Sequence, residues 1–210
     1  PSNELAFAQE NNCLVVPLFH KTFPFNSDAL SEADELTLQT LADRNVITGA
    51  AQETYYLPTP AGSYHGVLVL GLGKRERFTP EVLRRTGGKA AGVLKQNQVA
   101  HVYFDTSRHP EVPAEAFLEG VLFGQYDFDV YKKRDEDTPP PATTQHFEVV
   151  VGPGIDPAPV RAKCDEAAIL CVAANGARHL ANTPANDMTP AALAEFAEGV
   201  GREDNCTCEV

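Results

Sequence analysis

The chain has 210 residues, and 17 lysines and arginines against 29 aspartates and glutamates leave a formal net charge of −12. An acidic surface of this strength repels phosphate backbones and anionic bilayers, which argues against nucleic acid or membrane as a partner. The one basic run, Lys132-Lys133-Arg134, is cancelled at once by Asp135-Glu136-Asp137. No apolar stretch approaches the roughly 18 residues of a membrane span. The opening Pro1-Ser2-Asn3-Glu4 has neither the basic nor the apolar region of a signal peptide, so a cytoplasmic location is expected. The five cysteines, Cys13, Cys164, Cys171, Cys206 and Cys208, are odd in number and form no C-x-x-C pair. They read as reduced thiols, the first three buried, and not as a disulfide framework.

In chain order, short β-type runs are expected at 4–8 and 13–19, then a helix over 28–43 with an imperfect apolar stripe at Leu30, Ala33, Leu38 and Leu41. Residues 53–57 read as a strand. The near-continuous apolar run His-Gly-Val-Leu-Val-Leu-Gly-Leu at 65–72 reads as a strand covered on both faces. Thr79-Pro80 supplies an N-cap and a first-turn proline for a helix over 80–96. A strand at 99–104 and a helix at 114–124 follow. This alternation implies an α/β fold: a layered, mostly parallel sheet flanked by helices. Residues 1–137 would form this N-terminal domain. Pro139-Pro140-Pro141 then marks a stiff linker over 138–145. Residues 146–210 would open a second α/β domain and leave it incomplete, with a strand at 147–151 and a helix at 158–180. The centre of that helix, Ala-Ala-Ile-Leu-Cys-Val-Ala-Ala at 167–174, is apolar on every side and suits the interior of something large. A helix capped by Thr189-Pro190 would run to 198, and 206–210 would open a strand.

Motifs with chemical meaning are sparse. Gly71-x-Gly73-Lys74 lacks the following Ser or Thr of a phosphate loop, and Glu76 stands where a dinucleotide fingerprint needs its third glycine. It reads as a tight strand-to-helix turn. The six histidines, His20, His65, His101, His109, His146 and His179, are scattered, and no H-E-x-x-H or Gly-x-Ser-x-Gly occurs. Asp127 and Asp129 read as a solvated pair, and Cys206-x-Cys208 lacks partners for a metal site. In the loop of residues 182–190, Asn182 could take the left-handed conformation at a helix end, and Pro184 and Pro190 bias the residues before them away from helix.

Four segments in order carry a resemblance. Arg178-His179-Leu180-Ala181-Asn182-Thr183-Pro184-Ala185-Asn186-Asp187-Met188-Thr189-Pro190 resembles the Arg-x-Leu-x-Asn-x-Pro-x-Asn-x-x-Thr-Pro segment of the cytosolic leucyl aminopeptidases. Upstream, Thr48-Gly49, Leu70-Gly71-Leu72-Gly73-Lys74 with Phe78-Thr79-Pro80-Glu81, and Tyr126-Asp127-Phe128-Asp129-Val130-Tyr131-Lys132 are similar to that family's segments. The resemblance implies the N-terminal portion of a dimetal aminopeptidase, with an N-terminal domain similar in fold to macro domains. It implies two divalent metals, zinc or manganese, in a catalytic domain that this chain only enters, and a bridging water made nucleophilic there. It also implies a peptide substrate, a homo-hexamer, and a role for the N-terminal domain in assembly and active-site access. No Asp-x-Gly-Gly or Asn-Thr-Asp-Ala-Glu-Gly-Arg stretch is present. The chain is therefore expected to stop before the chemistry, and no catalytic, cofactor-binding or metal residue is assigned. The alternative reading is a stand-alone macro-like module holding a nucleotide such as ADP-ribose.

Overall fold

The computed structural model describes residues 11–23, 25, 27, 29–59, 62–133, 143–203 and 208–209. The expected strand at 4–8, most of the linker at 138–145 and most of the strand start at 206–210 lie outside the described residues. Along the chain run β1 (Asn12–Phe19), α1 (Glu32–Asp43), β2 (Thr54–Pro58), β3 (Gly66–Gly73), α2 (Pro80–Gln96), β4 (His101–Asp105), α3 (Ala114–Gly124), β5 (His146–Val150), α4 (Ala158–Asn182) and α5 (Pro190–Glu203).

The strands make one five-stranded sheet in the order β2-β3-β1-β4-β5. Only β2 is antiparallel to its neighbour; the other pairings are parallel. Strand β1 is buried at every position, as a central strand covered on both faces must be. Its alternating side chains feed two cores. Val15, Leu68, Leu70 and Phe104 meet Leu83, Leu94 and Phe117 from α2 and α3. On the opposite face Leu14, Val16, Val67 and Val69 meet Leu38 and Ala42 of α1.

Helix α2 keeps the bounds that the Thr79-Pro80 pair predicts, with the Thr79 hydroxyl accepting from the Val82 amide at 3.4 Å. Helix α1 starts later than the periodicity suggests. Its cap is Ser31, whose hydroxyl accepts from the Asp34 amide at 3.2 Å; the apolar stripe conceals this serine signal. Strand β5 pairs with β4 along its whole length, His101–Asp105 against His146–Val150. The sheet thus continues past residues 138–145, where the sequence pattern alone suggests a boundary.

Two glycine contacts set the spacing of the layers. A Cβ on Gly71 would lie 1.9 Å from the Ala50 carbonyl oxygen, so the Gly71-x-Gly73 turn is shaped by contact with the loop of residues 48–53. A Cβ on Gly120 would lie 2.1 Å from the Arg84 carbonyl oxygen, which lets α2 and α3 approach closely.

Helix α4 packs on α3 through Val160, Cys164, Ala167 and Cys171, a stripe at helical spacing. Its apolar centre is not enclosed: Ile169 and Val172 are 70% and 73% exposed on the outer side. Cys13, Cys164 and Cys171 are free and buried, Cys208 is free and exposed, and Cys206 lies outside the described residues. Burial pushes the Cys13 thiol far up and the Cys164 thiol up to about 11.

Gly120→Ala is expected to cost about 1–3 kcal/mol, the usual penalty of overpacking a tight contact. Gly92→Ala, with nothing within 4 Å of the new methyl, should be neutral or stabilising because alanine is the better helix former. Urea denaturation of both variants checks the pair.

Candidate functional site: a motif junction and a strand-end crevice

The two sequence segments 126–132 and 178–190 meet in space. Helix α3 ends at Gly124, and the last carbonyls of any helix lack intrahelical donors. Here the donors come from α4. The Asn175 side-chain amide donates to the Leu122 carbonyl at 3.2 Å, and the Arg178 guanidinium donates to the Phe123 carbonyl at 3.2 Å. Arg178 also donates to Asn175 Oδ1 at 2.9 Å and lies 4.1 Å over the Tyr126 ring. One turn on, the Asn182 amide donates to the Tyr126 hydroxyl at 3.2 Å, and His179 sits edge-on to Phe128 at 5.3 Å. The Tyr131 hydroxyl donates to Asp187, which raises the phenol pKa. The junction is mostly exposed, so its members act together as a latch and each contributes little alone.

Asn182 does not take the left-handed conformation expected of it. It is the last residue of α4, and Thr183 turns extended at φ −69°, ψ 126° because Pro184 follows.

The second gathering lies at the C-terminal ends of β1 and β4. Strand β1 pairs with β4 only from Asn12 to Val15, while its pairing with β3 continues to Phe19. The Asn11 carbonyl accepts from Ala100 and the Asn12 carbonyl from His65. By alternation, odd-numbered residues of β1 face β4, and Pro17, which has no N–H to give, falls where that pairing has stopped. A cavity of about 140 Å³ opens there, lined by Val16, Pro17, Leu18, Phe25, Ser27, Asp105 and Arg108 among others. Helix α1 leaves β1 for one face and α2 and α3 cover the other, so the crevice sits where the winding reverses. Open α/β sheets bind ligands at such a point.

Asp105 ends β4 and is 3% exposed. Its carboxylate accepts from the Ser27 hydroxyl and, at 2.9 Å, from the Ser107 amide. Behind it, Arg75 bridges Glu111 at 2.5 Å, contacts His109 at 3.2 Å and lies 4.3 Å over the Phe19 ring. Burial holds the His109 imidazole below the usual histidine range, against the upward pull of Glu111. Asp105 and Ser27 carry no motif; the one sequence signal is an aspartate at the end of an apolar strand.

The other singled-out residues have local partners. His20 bonds the Thr48 carbonyl at 3.1 Å, His65 bonds Asn12 at 2.7 Å, and His101 bonds Glu148 at 2.9 Å. His146 lies beside His101, ring centres 5.0 Å apart. Asp127 pairs with Lys95, and the loop at Thr48-Gly49 is held by Glu53, whose carboxylate accepts from Thr48 and Ala50. Among the described residues no group of three or more His, Cys, Asp or Glu could hold a metal ion. The described side chains therefore provide no donor set for the two metals that the resemblance implies. No helix of the described residues is long and apolar enough to cross a membrane.

This is an α/β unit built on a five-stranded, mostly parallel sheet, with two further helices after β5. Residues 15–135 match the model of the cytosol aminopeptidase family, N-terminal domain, and the chain belongs to that family. A probable cytosol aminopeptidase of Aquifex aeolicus is 29% identical over 184 residues, covering 86% of this chain and 36% of that protein. One of Exiguobacterium sibiricum is 33% identical over 154 residues, covering 73% of this chain and 30% of that protein. The chain thus spans about a third of the length of these curated relatives. A tomato leucine aminopeptidase structure has the same fold, with a TM-score of 0.71 at 22% identity over 94% of this chain and 40% of that one.

The latch predicts a measurable coupling. In a double-mutant cycle on Tyr126→Leu and Arg178→Ala, the two changes should be non-additive by about 0.5–1 kcal/mol, the scale of an exposed cation–π contact. Denaturant midpoints of the four proteins supply the numbers.

Proposed function

We propose that this chain is the non-catalytic N-terminal portion of a leucyl-type metalloaminopeptidase together with the entrance to its catalytic domain. The observation that carries this reading is the outer surface of the last two helices. Helix α4 is held to α3 by one stripe and one latch, and its other side presents Ile169, Leu170 and Val172 to solvent. Helix α5 likewise presents Leu193, Phe196 and Val200. Leaving such side chains half exposed forgoes roughly 1 kcal/mol each. That surface suits a helix pair within a larger fold, and the region matched here is about a third of the curated relatives' length.

In this reading the N-terminal unit is macro-like and runs through β5, and the catalytic domain begins in the segment after it. The parent enzyme is a cytoplasmic peptidase that removes N-terminal residues from peptides with two divalent metals bound by downstream residues. The metals, when bound, supply an activated water. The N-terminal unit serves hexamer assembly and access to the active sites. The latch then has a mechanical role: it fixes the direction in which α4 enters the catalytic domain.

The chain alone is expected to show no turnover of a leucine anilide with added manganese or zinc. Turnover above background that vanishes with chelator would contradict the division of labour proposed here.

A further inference from the structure

We propose that Asn175-Gly176 is a site of spontaneous imide formation, and that the latch between α3 and α4 sets its rate and is undone by its product. It is the one Asn-Gly pair in the chain. A glycine leaves its own backbone nitrogen sterically free to reach the preceding asparagine side chain. Nothing in the packing asks for a glycine here: a Cβ on Gly176 would meet no atom within 4 Å. Glycine is also the weakest helix former after proline, so α4 is easiest to open at the residue beside the latch. The Asn175 side chain is held from both ends. Its amide nitrogen donates to the Leu122 carbonyl at 3.2 Å, and its Oδ1 accepts from Arg178 at 2.9 Å. These two partners fix which end is the oxygen.

In the reaction the Gly176 nitrogen gives its proton to hydroxide and attacks the Asn175 side-chain carbonyl carbon. The bond to the side-chain nitrogen breaks, and ammonia leaves with a proton drawn from water. Water then opens the five-membered ring to aspartate or isoaspartate. The net change is one water taken up and one ammonia released. The helix opposes the first step, because Gly176 lies inside α4, where its N–H serves as a helical donor and the backbone is not bent for attack. Attack therefore waits for local opening, and the latch opposes that opening. The product acts on the latch in return. A carboxylate has no N–H for the Leu122 carbonyl and repels it, and isoaspartate adds a carbon to the backbone that the helix cannot accommodate. The inference stands on the latch geometry and goes beyond the peptidase reading above without resting on it.

The test is peptide mapping by mass spectrometry of this chain held at mildly alkaline pH, folded and in urea. In urea Asn175 should convert at the rate of an open Asn-Gly pair. In the folded chain it should convert more slowly yet measurably, and faster as the pH rises. Arg178→Ala, at an exposed position, should speed the folded chain about two- to fivefold, the scale of the cation–π contact it removes, and leave the rate in urea unchanged. Tyr126→Leu should do the same and serves as the second probe should Arg178→Ala disturb the fold. Gly176→Ala should slow conversion in both states. Asn175→Asp should lose hydrogen-exchange protection over residues 175–182 while the sheet keeps its own. No conversion in the folded chain by the time the unfolded chain is spent, equal rates in the two states, indifference to both latch variants, or unchanged protection in Asn175→Asp would each overturn the proposal. None of these readouts involves peptide turnover, so this site and the peptidase reading fail separately.

Discussion

The carbonyls at the end of α3 need donors, and the chain supplies them from more than fifty residues downstream. Asn175 and Arg178 reach back to Leu122 and Phe123, and in doing so they set where α4 lies. The contact adds to the buried stripe by which α4 packs on α3. The stripe of Val160, Cys164, Ala167 and Cys171 holds the first part of α4, and the latch holds its far end. Tyr126 and Phe128 of the segment that follows α3 contact Asn182 and His179 at the end of α4, and Tyr131 ties back the loop of residues 183–189 through Asp187. The contact in turn depends on α3 being fixed, which the close approach at Gly120 provides. A glycine therefore sets the helix spacing, the spacing sets α3, and α3 sets the course of α4.

The crevice arises from a different constraint. A parallel sheet is closed only where both neighbours can exchange backbone hydrogen bonds, and Pro17 has no donor to exchange. Strand β1 therefore keeps β3 and parts from β4 beyond Val15. The gap is lined by what the two strand ends happen to carry: apolar side chains from β1, and Asp105 with Arg108 from β4 and its loop. The Arg75, His109 and Glu111 cluster links the turns beside the gap, and His109 lines it.

Local chemistry made much of the fold legible in the sequence. Thr79-Pro80 and Pro113 mark α2 and α3 within their observed bounds, because caps and first-turn prolines act on neighbouring residues. Helix α1 was harder to bound: its cap, Ser31, directly follows Leu30, which continues the apolar spacing of the true helix. The place of β5 was not legible. Parallel pairing joins residues some forty-five apart, and nothing within residues 146–150 says which sheet receives them. The four resembling segments identified the family, yet the meeting of 126–132 with 178–190 depends on packing that no single segment encodes. The crevice was invisible for the same reason: Pro17, Ser27 and Asp105 are unremarkable until the sheet brings them together.

Central to the proposed function is the reading that one side of α4 packs on α3 while its outer side, with Ile169, Leu170 and Val172 exposed, is left for further chain to cover. Amide hydrogen exchange along α4 tests this directly, since protection reports local opening. In a monomeric sample of this chain the amides of Ile169–Val172 should exchange well before those of β1 and β3, with Asn175–Arg178 slower than the helix centre because the latch restrains them. Protection across Ile169–Val172 equal to that of β1 in the monomer would show that α4 is complete as it stands, and would contradict the account.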